Sequence, residues 1–118
     1  MSMKTFQDVI AWQRSIELAK RIYTLTKHFP DSERFGLSSQ MRRCAVSIPS
    51  NIAEGYHRSS RSEFRRFCFI AYGSAAELQT QLIIAKSQDI APPDEYRQID
   101  ALLLECNKLL NSLCRSLG

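Results

Sequence analysis

Residues 94–118 read DEYRQIDALLLECNKLLNSLCRSLG. Within them Tyr96, Ile99, Leu103, Cys106, Leu110, Leu113 and Leu117 recur at alternating steps of three and four. That alternation is an a/d heptad seam, which gathers apolar side chains along one side of a helix. Pro93 suits a first helical turn, and Asp94 and Glu95 match the positive end of the helix dipole. The spacing predicts a helix over 93–116 whose apolar face needs partners.

The rest of the chain offers those partners. Helical spacing runs through residues 6–28, where Val9, Trp12, Ile16, Ala19 and Tyr23 form one stripe with Leu18, Ile22, Leu25 and Phe29 beside it. Pro30 ends that segment, because proline disfavours helical geometry in the residue before it. A second helix is expected over 32–56, with Leu37, Met41, Cys44, Ala45, Ile48 and Ile52 inward. Pro49 lies inside it and cannot bond the Ala45 carbonyl. Either the helix kinks at Pro49 or a new one starts after Ser47. Ser60-Arg61-Ser62-Glu63 has the form of a capping box. A third helix follows over 61–87, with Phe64, Phe67, Cys68, Ala71, Ala75, Leu78, Leu82 and Ala85 inward. Four helices with short connections predict an all-α, antiparallel up-down-up-down bundle, kinked at Pro49 in its second helix.

Composition agrees with this. The 118 residues are 44% hydrophobic and 24% charged, with four Gly and four Pro. Residues 1–118 fit one domain with its own core, and wholesale disorder is excluded. No apolar run approaches the roughly 20 residues of a membrane-spanning helix. The opening MSMKTFQDV has no apolar signal core. A cytoplasmic protein with no membrane partner is expected. The four cysteines, at 44, 68, 106 and 114, show no metal-ligand spacing and fall at or beside apolar helical positions.

Charge is unevenly placed. Arg42, Arg43, Arg58, Arg61, Arg65 and Arg66 face only Glu54 and Glu63 within the same stretch, a surplus that equals the whole net charge of +4. On a helical wheel Arg42, Arg43, Arg65 and Arg66 project away from the core. Arg61 sits in a first turn, where the dipole favours anions. Two readings stand side by side. One is a phosphate-binding surface, with Arg58, Arg61, Ser59 and Ser60 around the free N–H groups that start helix three. The other is a solvated face paired locally with Glu63. Phe69, Tyr72, Ala76 and Ile83 form a second apolar stripe on helix three, either a broad core edge or an interface between subunits.

Catalysis finds no foothold. Neither His28 nor His57 belongs to a nucleophile–base pattern, and there is no phosphate-binding glycine loop or zinc spacing. Glu54-Gly-Tyr-His57 has the spacing of half a di-iron site, but a second such motif is missing. No enzymatic activity, metal or cofactor is expected.

Several runs carry a resemblance. Phe6-Gln-Asp-Val-Ile-Ala-Trp12, Ser39-Gln-Met-Arg-Arg43, Ser47-Ile-Pro-Ser-Asn-Ile-Ala-Glu-Gly55, Phe64-Arg-Arg-Phe67 and Ile70-Ala-Tyr-Gly-Ser-Ala-Ala-Glu-Leu78 together resemble the bacterial 23S rRNA intervening-sequence proteins. The accessory proteins of diversity-generating retroelements are relatives. The resemblance implies a four-helix bundle assembled as a homopentamer, with no catalytic activity. The retroelement relatives bind nucleic acid and a reverse transcriptase through a basic surface. In the signature run, Ser47, Pro49, Asn51, Glu54 and Gly55 read as packing residues: Asn51 bonding a carbonyl freed by Pro49, Glu54 capping or pairing with an arginine of a neighbouring helix or subunit. The expected function is a non-catalytic, oligomeric protein holding RNA or DNA phosphates through the six arginines. An adaptor for a nucleic-acid-processing enzyme is the alternative.

Overall fold

A computed structural model describes residues 5–118, so the signal-core reading for residues 1–4 lies outside the described residues. Four helices, α1 (Ile10–Thr26), α2 (Leu37–Tyr56), α3 (Arg61–Ser87) and α4 (Asp94–Ser116), account for most of them, and no strand is present among them. The molecule measures 43 × 24 × 20 Å. Among the described residues no helix is long and apolar enough to cross a membrane.

Cross-helix contacts give the packing order. Arg14 meets Glu105 and Arg21 meets Gln98, so position rises along α1 as it falls along α4. Arg61 and Lys86 of α3 meet Ser116 and Asp100 of α4 in the same inverse order. Gly55 lies against Phe67 while Ser47 bonds Ser74, which relates α2 to α3 likewise. Fully buried Leu18, Ile22, Met41, Ile48, Ile52, Leu78, Leu82 and Leu110 form the centre.

Helix starts depart from the sequence pattern for local reasons. The expected helix over 6–28 is divided at Val9, whose backbone is extended. Before it, Phe6–Asp8 is a short 3-10 turn closed by a reciprocal box between Thr5 and Asp8. Helix α2 begins at Leu37 rather than 32, after a second 3-10 turn at Asp31–Glu33. The Glu33 carboxylate accepts the Leu37 N–H at 3.2 Å. A side chain reaching back in this way needs its residue outside the helix it caps. Helix α3 begins and ends where the spacing puts it, and α2 runs without interruption through Pro49, so no new helix starts after Ser47. Between α3 and α4, Asp89 and Ala91 both take positive φ, 53° and 70°.

Two seams shift. On α1 the buried line is Ala11, Ser15, Leu18, Ile22 and Leu25, whereas Tyr23 is 42% exposed. On α4 burial passes from Leu110 to Cys114, leaving Leu113 and Leu117 only half-buried. A straight helix of 3.6 residues per turn drifts about 20° per heptad against a 3.5 repeat, and the drift is enough to change the inward residue by one.

Candidate nucleic-acid interface

Four of the six arginines gather where α2 ends, α3 begins and α4 ends. Phe67, half-buried near the start of α3, carries two guanidiniums over its ring, Arg58 at 4.8 Å and Arg66 at 4.5 Å from the centroid. Both are also matched by acids. Arg58 lies 3.1 Å from the Glu54 carboxylate, and Arg66 donates to both oxygens of Glu63 at 2.9 and 3.2 Å. That fork holds the Glu63 carboxyl below its ordinary range. Arg65 covers the Phe69 ring at 4.8 Å and has no carboxylate partner among the described residues.

Arg61 is explained by a neighbour rather than by its own helix. It donates to the Ser116 carbonyl at the C-terminus of α4, the end where a cation is favoured. At the start of α3 one N–H group is satisfied from within. Ser60 Oγ accepts the Glu63 N–H at 3.1 Å. The other half of the expected box does not form, because the Glu63 carboxylate is turned to Arg66. Arg58 is thus engaged with Glu54, Arg61 with the Ser116 carbonyl and Ser60 with the Glu63 N–H.

Arg42 and Arg43 lie elsewhere. They are separated from Arg58 by most of α2, about 20 Å at 1.5 Å per residue. Arg42 Nε donates to Thr26 Oγ1 at 2.7 Å, and its guanidinium covers the Tyr23 ring at 4.8 Å. Arg43 is exposed and has no ion-pair partner among the described residues. Both share a cleft with Lys27 and Arg34. The sequence cluster thus becomes two basic ends of one rod. Lys27 and Arg34 were missed because they lie outside the arginine-rich stretch. Reversal of the chain at Pro30 is the signal that brings 27–34 against 37–43.

The signature run is structural where it can be followed. A Cβ built on Gly55 would lie 2.6 Å from Phe67 Cβ, so only glycine permits this approach of α2 to α3. Ser47 Oγ bonds the Cys44 carbonyl and the Ser74 hydroxyl, each at 2.7 Å. Asn51 donates to the Ser47 carbonyl at 2.7 Å, not to the Ala45 carbonyl that Pro49 leaves unbonded. Glu54 pairs with Arg58 of the following loop rather than with a neighbouring helix. His57 stacks edge-on between Phe6 and Tyr56, at 5.6 and 5.7 Å. Among the described residues no three metal-ligating side chains converge.

The four cysteines are free and buried. Burial pushes the Cys44 and Cys68 thiols up to about 12 and Cys106 to about 11. Thiols so raised are poor nucleophiles. On α3, Phe69 and Ile83 are 44% and 59% exposed and Ala76 is exposed, whereas Tyr72 packs partly against the core.

No curated protein matches the chain. A crystal structure of a protein of unknown function from the S23 ribosomal protein family of Bacteroides thetaiotaomicron is similar, with a TM-score of 0.83 and 30% identity. The match covers 92% of this chain and 98% of that one. Residues 7–112 match the family model of the 23S rRNA-intervening sequence proteins, and with nearly the whole bundle inside that match the chain belongs to this family.

Proposed function

We propose that this protein is a non-catalytic, oligomeric nucleic-acid-binding protein of the cytoplasm that holds RNA or DNA through phosphate contacts at its two basic ends. The observation that carries the reading is the excess of unmatched cations. Arg42, Arg43, Arg61 and Arg65 have no carboxylate partner among the described residues, and arginine forks bind phosphate well. Membership in a family named for ribosomal RNA supports it. Few exposed planar groups accompany the arginines, so backbone contacts should dominate and sequence preference should be weak.

The test is fluorescence anisotropy of structured RNA and duplex DNA at about 50 and 200 mM salt. Binding led by several phosphate contacts weakens by orders of magnitude across that range. Arg42→Gln with Arg43→Gln, and separately Arg61→Gln, Arg65→Gln and Arg66→Gln together, should each lower affinity and flatten the salt slope. Unchanged affinity and slope in both variants would defeat the reading.

The exposed apolar side chains of α3 favour a second reading, an adaptor that docks a nucleic-acid-processing enzyme such as a reverse transcriptase. It predicts a complex that survives nuclease treatment in a pull-down.

A further inference from the structure

At the α1–α2 end lies a cleft of about 530 Å³, within the range of sites that hold small molecules. The first turn of α2 lines it through Ser38 and Ser39. Gln40 makes the first bond inside α2, to the Gly36 carbonyl, and Glu33 takes the Leu37 N–H. Between them the N–H groups of Ser38 and Ser39 have no acceptor among the described residues. The Ser38 side chain is an independent sign. Ser38 is only 7% exposed, it lines the cleft, and its hydroxyl has no hydrogen-bond partner among the described residues. Among the described residues the fully enclosed side-chain oxygen without a partner is Gln81 Oε1, not Ser38 Oγ, so the Ser38 hydroxyl stays open to a group that enters the cleft.

Charge points to the same ligand. Lys27, Arg34, Arg42 and Arg43 line the cleft with a single carboxylate, Asp31. None of the four cations is in an ion pair among the described residues, in contrast to Arg58 and Arg66 at the other end. Arg42 is held in advance by Thr26 and the Tyr23 ring. Phe35, beside these cations, is 87% exposed, the most exposed of the large hydrophobic side chains among the described residues, and the Arg34 guanidinium lies over its ring at 5.4 Å. A nucleobase gains by stacking on such a ring.

We propose that this cleft binds a nucleoside 5′-phosphate, its phosphate on the α2 N-terminus among the four cations and its base against Phe35. A terminal phosphate carries about −1.5 to −2 near neutral pH. A backbone diester carries a single charge, so four cations against Asp31 in the cleft and Glu33 beside it favour the terminus. The group can come from a free nucleotide or from the 5′ end of a strand. The proposal deepens the nucleic-acid reading and rests on it for the ligand class.

The experiment compares a decamer of riboadenosine bearing a 5′-phosphate with the same decamer ending in a 5′-hydroxyl, by anisotropy, and AMP with adenosine, by calorimetry. The phosphorylated partner of at least one pair should bind about tenfold more tightly. A preference confined to the decamers assigns the site to strand ends, and one shown by AMP assigns it to free nucleotide. Arg34→Gln with Arg43→Gln should abolish the preference. So should Ser39→Glu, which places a carboxylate where the dipole favours it and so preserves the helix. Arg61→Gln with Arg65→Gln should weaken both decamers alike and keep their ratio. Equal binding within both pairs overturns the proposal, as does a preference that persists in both cleft variants. If the two decamers bind equally, the backbone reading survives that failure. If AMP alone binds, the cleft stands and the strand reading falls. If nothing binds, both fall.

Discussion

Gly55 and Gly73 show how differently one residue type is used two turns apart on facing helices. At Gly55 a Cβ would press on Phe67 Cβ, an atom next to the backbone with no freedom to swing aside. At Gly73 the same atom would meet nothing of this chain within 4 Å. Gly55→Ala should therefore destabilise by about 1–3 kcal/mol through overpacking. Gly73→Ala should stabilise by about 0.5–1 kcal/mol through helix propensity. Urea denaturation of the two variants reads both signs, and equal shifts would refute the contact. The buried thiols give a second expectation at this scale. An unfolded cysteine ionises near 8.5, whereas Cys44 and Cys68 are pushed up to about 12 by burial. Below the unfolded value both states are protonated and stability is unaffected. Above it the unfolded state loses protons that the folded state keeps, so stability falls from about pH 9 towards 12. Unfolding midpoints at pH 8 and 10 should differ less in Cys68→Ala than in the parent protein. A thiol reagent at pH 8 should label the folded protein far more slowly than the unfolded chain.

Along single elements, the capping pattern at Ser60 and the apolar spacing after it put the ends of α3 at the observed residues, and Pro93 with its acidic neighbours put the start of α4 within one residue. The seam of α4 held until helical drift replaced Leu113 by Cys114. Leu110→Ala should therefore cost about 2–5 kcal/mol, and Leu113→Ala clearly less, in paired denaturation curves. Similar losses at both positions would mean that the heptad register runs to the chain end after all. Capping was harder to read. The box pattern at Ser60 yielded only its serine half because Arg66 competed for Glu63, and the true start of α2 depended on a carboxylate, Glu33, that no spacing rule marks. The arginines were legible as a surplus but not as two sites. Their distance along the rod and the role of Arg61 at the end of α4 follow from which helices are neighbours. Ser60→Ala should cost about 1 kcal/mol, which a thermal melt checks.

For the molecule as a whole, the feature that folding leaves unexplained is the outer face of α3. Phe69 and Ile83 stay about half exposed, on the same element whose opposite side supplies Cys68, Ala71, Ala75, Leu78 and Leu82 to the core. A helix apolar on both sides suits burial between two layers, and one chain provides only the inner layer. If copies of the protein supply the outer one, like contacts repeat through the assembly, and the basic ends of its subunits repeat with them. Repetition then matters for binding. Each end offers few unmatched cations, too few for tight attachment alone, whereas several subunits engaging one strand bind with a raised effective concentration. Phe69→Glu with Ile83→Glu tests both steps, since the two side chains are solvent-facing in the single chain and their replacement leaves the core intact. Light scattering should show the parent as a multiple of 13.5 kDa and the variant as a smaller species with unchanged helicity. Affinity for a long RNA should fall by one or two orders of magnitude in the variant, while affinity for a short oligonucleotide stays the same. A parent that is already monomeric would remove the assembly, and a smaller variant that still binds long RNA as tightly would show that each bundle binds on its own.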